Sequence, residues 1–180
     1  MKKFSNTYIF LYTTVLVAIV AIVLSLVTLK LKPLQDRNRD VEKMRQILSA
    51  AGYSEMPTEK VQDFYNAHSQ EWLLDKQGNV TDIYANGKFT KGNARAFTSD
   101  EKLAYLNAQQ HKDYVLPVFV IKSGGRSVFV VPVRGKGLWG PIWGYVAIAD
   151  DGNTVVGTSF SHKSETPGLG GEITKDKFQS

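Results

Sequence analysis

The chain opens on an apolar run with no polar face. Residues 4–29 carry no charge, and Tyr8 to Leu29 is almost wholly apolar. About 20 such residues, rising about 1.5 Å each, cross a bilayer core, and a helix is the form that satisfies its own backbone groups there. Tyr8 and Tyr12 suit the interfacial aromatic belt at one end, and Lys30 and Lys32 can snorkel at the other. The basic start Met1-Lys2-Lys3 also suits a signal peptide. However, the apolar run is longer than such a segment needs, and Val27-Thr28-Leu29-Lys30 offers no small-x-small cleavage site. Residues 1–32 therefore read as an uncleaved transmembrane signal anchor.

From Pro33 the pattern becomes amphipathic. Val41, Met44, Ile47, Leu48 and Ala51 form one helical stripe, and Gly52 is its stop signal. Asp36, Arg37, Arg39, Asp40, Glu42, Lys43 and Arg45 make the solvated face, which is also placed to meet partner subunits. Thr58 can cap a second helix carrying Val61, Phe64, Tyr65 and His68 on one side. Trp72-Leu73-Leu74-Asp75 reads as a strand turning at Lys76-Gln77-Gly78-Asn79, and Asn86-Gly87 is a further turn signal. Ser99 is the expected cap of a third helix through Leu103, Ala104, Leu106 and Asn107.

At Leu116 the period drops to that of strands. Val118-Phe119-Val120-Ile121 and Val128-Phe129-Val130-Val131 flank Ser123-Gly124-Gly125-Arg126, a hairpin signal. Trp143 to Ala149 is a third strand, and Asp150-Asp151-Gly152-Asn153 turns it into a fourth, Thr154 to Phe160. Successive strands with short turns predict an antiparallel sheet with helices packed to one side. The fold class is α+β: one transmembrane helix, then a mixed helix and antiparallel-sheet domain over residues 33–180.

Composition narrows the chemistry. The chain has 180 residues, no cysteine and a formal charge of +5. Disulfides, thiolate metal sites and iron–sulfur ligation within the chain are excluded. Many basic residues flank the span, where membrane lipid headgroups attract them. There is no basic stripe with interleaved aromatics, so no nucleic-acid partner is expected. His68 and His111 read as ordinary surface or half-buried histidines, and no metal site is expected. Gly135-Lys136-Gly137-Leu138-Trp139-Gly140-Pro141 lacks the Gly-Lys-Ser/Thr ending of a phosphate loop and does not open a helix. Nothing resembles a nucleophile–base pair for hydrolysis, so no catalytic residue is assigned.

The stretch with the strongest chemical signal is Ser161 to Ile173. Pro167 fixes one backbone angle, while Gly168, Gly170 and Gly171 let a backbone approach a ligand closely. Leu169 stands out among them as an isolated apolar side chain. Leu138 and Trp139 on one loop and Leu169 on another can wall a flat heterocycle. Glu165, Thr166 and the amides around Gly168 and Gly170 can supply aimed polar groups. His162 and Glu165 have the spacing of metal ligands on a helix, but Pro167 and the glycines argue against a helix there. Lys163 reads as a solvated lysine.

Glu165-Thr166-Pro167-Gly168-Leu169-Gly170 resembles the signature of an FMN-binding domain family. That family includes the C subunit of the sodium-translocating NADH:quinone reductase and the G subunit of the Rnf complex. Asn6-Thr7-Tyr8-Ile9-Phe10, Gln35-Asp36-Arg37-Asn38-Arg39 and Gly137-Leu138-Trp139-Gly140-Pro141-Ile142-Trp143-Gly144 are similar to the reductase member as well. The resemblance implies FMN bound by Leu138, Trp139, Glu165, Thr166, Gly168, Leu169 and Gly170. It implies an electron-transfer subunit, not catalytic alone, of a complex that oxidises NADH, reduces ubiquinone and pumps Na+, with the other subunits as partners. It also implies a single pass through the bacterial inner membrane and a periplasmic domain. The flanking basic residues alone leave orientation undecided. In the family the flavin phosphate is linked to a threonine of a Ser-Gly-Ala-Thr-type motif downstream of the Pro-Gly loop. No such motif occurs here, and the chain reads as cut short before it. The rival expectation is a flavin-free, membrane-anchored module with a structural, assembly or ligand-binding role.

Overall fold

The computed structural model describes residues 5–123 and 125–179. The basic start Met1-Lys2-Lys3, Phe4, Gly124 of the hairpin turn and Ser180 lie outside the described residues. Helix α1 spans Asn6–Ala50. Within it the chain divides into two units, residues 1–40 and 41–180.

In the first unit, α1 presents Ile9, Phe10, Leu11, Val17, Ile22, Leu24 and Leu29 outward. It is the one helix among the described residues long and apolar enough to cross a membrane. Threonine hydroxyls in it bond back to the preceding turn: Thr14 Oγ1 donates to Phe10 O at 2.8 Å and Thr28 Oγ1 to Leu24 O at 2.8 Å. Pro33, where the sequence predicts the change of environment, lies inside the helix. Proline removes one backbone bond there, and the turns on either side continue the helix.

The second unit is built on a seven-stranded sheet of order β3-β2-β1-β4-β5-β6-β7. Its strands are β1 Ser69–Leu74, β2 Val80–Ala85, β3 Lys88–Lys91, β4 Leu116–Ser123, β5 Arg126–Lys136, β6 Pro141–Ala149 and β7 Val155–His162. All neighbours are antiparallel. The four strands expected from Leu116 onward are present, and β1 to β3 extend them across the β1–β4 edge. Asn86 and Gly87 turn β2 into β3 with φ of 51° and 76°. Positive φ at both central residues is what that tight hairpin requires.

One face of the sheet carries the core. Register aligns Glu71 with Phe119, Phe119 with Val130, Val130 with Ala147 and Ala147 with Gly157. Ile47, Leu48 and Ala50 at the end of α1, and Val61 and Tyr65 of α2 (Thr58–His68), belong to the same buried cluster. Gly52 ends α1 as predicted. Its φ is +93°, its N–H bonds Ser49 O, and Tyr53 N–H reaches back to Leu48 O. This pair of bonds satisfies carbonyls the helix leaves open. Helix α3 spans Glu101–Gln109, and its cap is Asp100, whose side chain accepts from Leu103 N–H at 3.0 Å. Ser99, the expected cap, instead donates to Ala96 O at 2.7 Å, closing the preceding 3-10 turn.

The helices do not all lie on one face. Successive strand residues point to opposite sides. Phe160 pairs with Gly144, next to the core-facing Tyr145, so it points away from the core. The ring of Phe178 in α4 (Asp176–Gln179) sits 6.0 Å from it, and Gln179 Nε2 donates to Phe160 O. Thus α4 packs on the second face, where Trp72 and Phe129 also meet at 6.0 Å.

Candidate functional site

Strands β6 and β7 bring two loops to one end of the sheet. Ile142 pairs with His162, so the turn entering β6 and the loop leaving β7 are neighbours. The turn over residues 137–140 is closed by Gly137 N–H donating to Gly140 O at 2.7 Å. Lys163 N–H donates to Pro141 O at 3.1 Å and continues the pairing past the strand.

Glu165 is the junction of the two loops. It is 9 % exposed, and its Oε1 accepts Trp139 N–H at 2.9 Å. Ser164 Oγ donates to Trp139 O at 2.7 Å, so Trp139 is held through both its backbone groups. The glycines make this approach possible. A Cβ built at Gly137 would lie 2.3 Å from Glu165 Oε1, and one at Gly170 would lie 2.6 Å from Glu165 Oε2. At Gly140 it would lie 2.5 Å from Ser164 Oγ. Such separations exclude any residue with a side chain unless the neighbour moves. His162 Nδ1 accepts Glu165 N–H at 3.2 Å and fixes the start of the loop.

The rest of the loop is self-bonded. Thr166 O accepts the N–H of Leu169 at 3.1 Å and of Gly171 at 3.0 Å. Gly168 has φ +78°, and its N–H donates to Glu172 Oε1 at 3.1 Å. The Lys175 ammonium, 2.8 Å from Glu172, holds that carboxyl below the usual carboxylate range, with help from Gly168 N–H. The loop then runs into a 3-10 turn, Gly170–Thr174.

Against this rigid frame three large apolar side chains face outward: Leu138 at 83 % exposure, Trp139 at 66 % and Leu169 at 74 %. Apolar groups this open, on loops braced by a buried carboxylate, form a surface to which a flat apolar ring can bind. Thr166 and Lys163 are exposed on the same loop as Leu169. Nearby, Val133, Arg134, Gly135, Ile142, Trp143 and Phe160 line a cleft of about 200 Å³.

The structure therefore brings together Leu138, Trp139, Glu165, Thr166, Gly168, Leu169 and Gly170. It gives them different tasks from one another. Leu138, Trp139 and Leu169 present apolar surface. The Glu165 carboxylate turns inward to the Trp139 amide, and the Gly168 amide is already bound by Glu172. Sequence reasoning passed over Gly137, Gly140 and Ser164, which let the loops touch. The three-residue glycine spacing before Pro141 was the available signal.

A model of the FMN-binding domain matches residues 137–180, which contain both loops. The C subunit of the Na+-translocating NADH-quinone reductase of Pseudomonas aeruginosa is 32 % identical over 183 residues, covering 93 % of this chain and 69 % of the relative. Its Haemophilus ducreyi counterpart is 30 % identical over 99 % of this chain and 72 % of the relative. The Vibrio anguillarum counterpart is 31 % identical over 89 % of this chain and 64 % of its own length. The chain thus spans about two thirds of the relatives it matches. The crystal structure of the C subunit from Parabacteroides distasonis superposes with a TM-score of 0.64 at 33 % identity, covering 83 % of this chain and 66 % of that one. NqrC from Shewanella oneidensis gives 0.62 at 26 % identity, covering 78 % of this chain and 67 % of that one.

Proposed function

The chain belongs to the NqrC family, the C subunits of the Na+-translocating NADH-quinone reductase, and from that premise we propose that it is the flavin-carrying electron-transfer subunit of such a complex. The observation that carries the reading is the exposed trio Leu138, Trp139 and Leu169, set on two loops joined through Glu165. An isoalloxazine is flat and mostly apolar, and it fits a site with apolar walls and few aimed polar groups. Leu138, Trp139 and Leu169 would hold the ring by its apolar faces. Thr166 would offer it a polar contact, and Gly168 and Gly170 would put no side chain in its way. FMN held there would supply the redox chemistry of an electron carrier. The protein's own part is to fix the ring and keep water from its faces.

The assembly follows from the relatives, which are named as subunits of a reductase that takes NADH and quinone and moves Na+. The partners of this chain are the other subunits of that complex and the surrounding lipid. Residues 1–32 anchor it by a single pass in the bacterial inner membrane, with the N-terminus cytoplasmic and residues 33–180 on the periplasmic side. The family resemblance also implies a phosphate ester to a threonine of a Ser-Gly-Ala-Thr-type motif. Residues 1–180 lack that motif, so the residues described are proposed to hold the ring and not the phosphate.

The test is an intact mass and a visible spectrum of the subunit purified from its native membrane. A mass increment of one FMN less one water, with a flavin band that bleaches on reduction, is the expected result. Protein without flavin in the assembled complex would refute the reading and leave the structural or assembly role.

A further inference from the structure

We infer that Glu165 is a positioning residue: its buried carboxylate latches the Gly137–Gly140 turn to the Pro167–Gly171 loop and sets the gap between Trp139 and Leu169 without touching the ligand itself. The inference rests on the flavin reading above and assigns a task that neither the family signature nor the apolar walls reveal.

Three observations carry it. The residue is 9 % exposed. Oε1 accepts the amide of Trp139 at 2.9 Å, a residue whose indole is itself 66 % exposed. The carboxylate also lies between two glycines from different loops, with hypothetical Cβ positions 2.3 Å from Oε1 at Gly137 and 2.6 Å from Oε2 at Gly170. A group so enclosed has little room for a second position. Ser164 holds the carbonyl of Trp139 and Glu165 holds its amide, so the backbone of Trp139 is defined from the opposite loop. Since Leu169 stands on that loop, moving Glu165 moves one wall of the site relative to the other. A displacement of about 1 Å in a positioning group is enough to change function strongly.

The experiment uses the subunit purified from its native membrane, as wild type, E165Q and E165A. Two properties are read: hydrogen exchange at the Trp139 amide, and the spectrum and midpoint potential of the flavin. E165A is expected to exchange that amide about 10-fold faster, the scale of one lost charge-assisted hydrogen bond, and to carry a shifted flavin band and potential. E165Q keeps an acceptor oxygen and is expected to restore both. Faster exchange in E165A with an unchanged band and potential would overturn the positioning role and leave the flavin reading standing. Unchanged exchange would overturn the latch. A wild-type subunit with no flavin would overturn the flavin reading and the positioning role with it. If E165A does not fold, G137A, whose added methyl meets Oε1, is read by the same outcomes.

Discussion

Replacing Gly157 by alanine tests the seam that joins the end of α1 to the strand bearing the site. Gly157 lies in β7, where it pairs with Ala147, and the strand leads to His162 and the Pro-Gly loop. A Cβ built there would sit 2.7 Å from Ala50 O, where ordinary contact begins near 3.4 Å. The obstacle is backbone, so no rotamer relieves it. About 0.7 Å of movement is needed, against a helix end whose Ile47, Leu48 and Ala50 are at most 1 % exposed. Overpacking of this kind costs about 1–3 kcal/mol. Alanine returns about 0.4–1 kcal/mol by restricting the unfolded chain. The net loss is about 1–2 kcal/mol, which for a domain of this size lowers Tm by roughly 3–8 °C. Thermal unfolding of the full chain in detergent, followed by tryptophan fluorescence, measures it. A G157A chain with the wild-type Tm, or a higher one, would refute the reasoning that the helix and strand are in backbone contact at this point.

Three further outcomes are expected. Arg95→Ala strips the guanidinium from Glu71, which is 2 % exposed and also accepts Phe97 N–H at 3.0 Å. An unpaired buried carboxylate is costly, and urea unfolding should show a loss of about 3 kcal/mol. Asp100→Ala should cost about 1 kcal/mol through the lost cap of α3, while Ser99→Ala costs clearly less, and chemical denaturation separates the two. The Thr81 hydroxyl, with the N–H groups of Ala94 and Asn93, holds the Asp82 carboxyl below its ordinary value. A depressed folded value means stability that is present above the unfolded carboxylate pKa of about 3.9 and lost as pH falls below it. Tm measured from pH 6 to pH 3 should therefore fall less steeply in D82N than in wild type.

Local signals account for much of the fold. The uncharged, apolar run from Tyr8 to Leu29 lies within a helix, a form that satisfies its own backbone groups as a segment in hydrocarbon must. Gly52 ends its helix because the stop needs positive φ. The alternating runs after Leu116 become β4 to β7 because consecutive strands joined by short turns have few other ways to pair. The Pro-Gly loop was legible for the same reason, since proline and glycine write their backbone angles into the sequence.

Tertiary structure decided the rest. Ser99 and Asp100 are both good caps, and the choice fell to Asp100 because the 3-10 turn over Ala96–Thr98 takes the serine hydroxyl. The Phe178 helix went to the second face because Phe160 leaves an aromatic surface there. The placement of β1 against β4 depends on pairing across more than 40 residues, and no local pattern states it. Glu165 shows the division most clearly. Its sequence context marks a polar group beside a ligand loop. Its actual partner, the Trp139 amide, lies 26 residues away and becomes a neighbour only when β6 and β7 pair. The sequence by itself determined which residues form the two loops and which side chains stand out from them. The sheet decided that the loops meet, and so set the Glu165 carboxylate against the Trp139 amide. A carboxylate's task depends on what surrounds it, and only the folded chain supplies those surroundings.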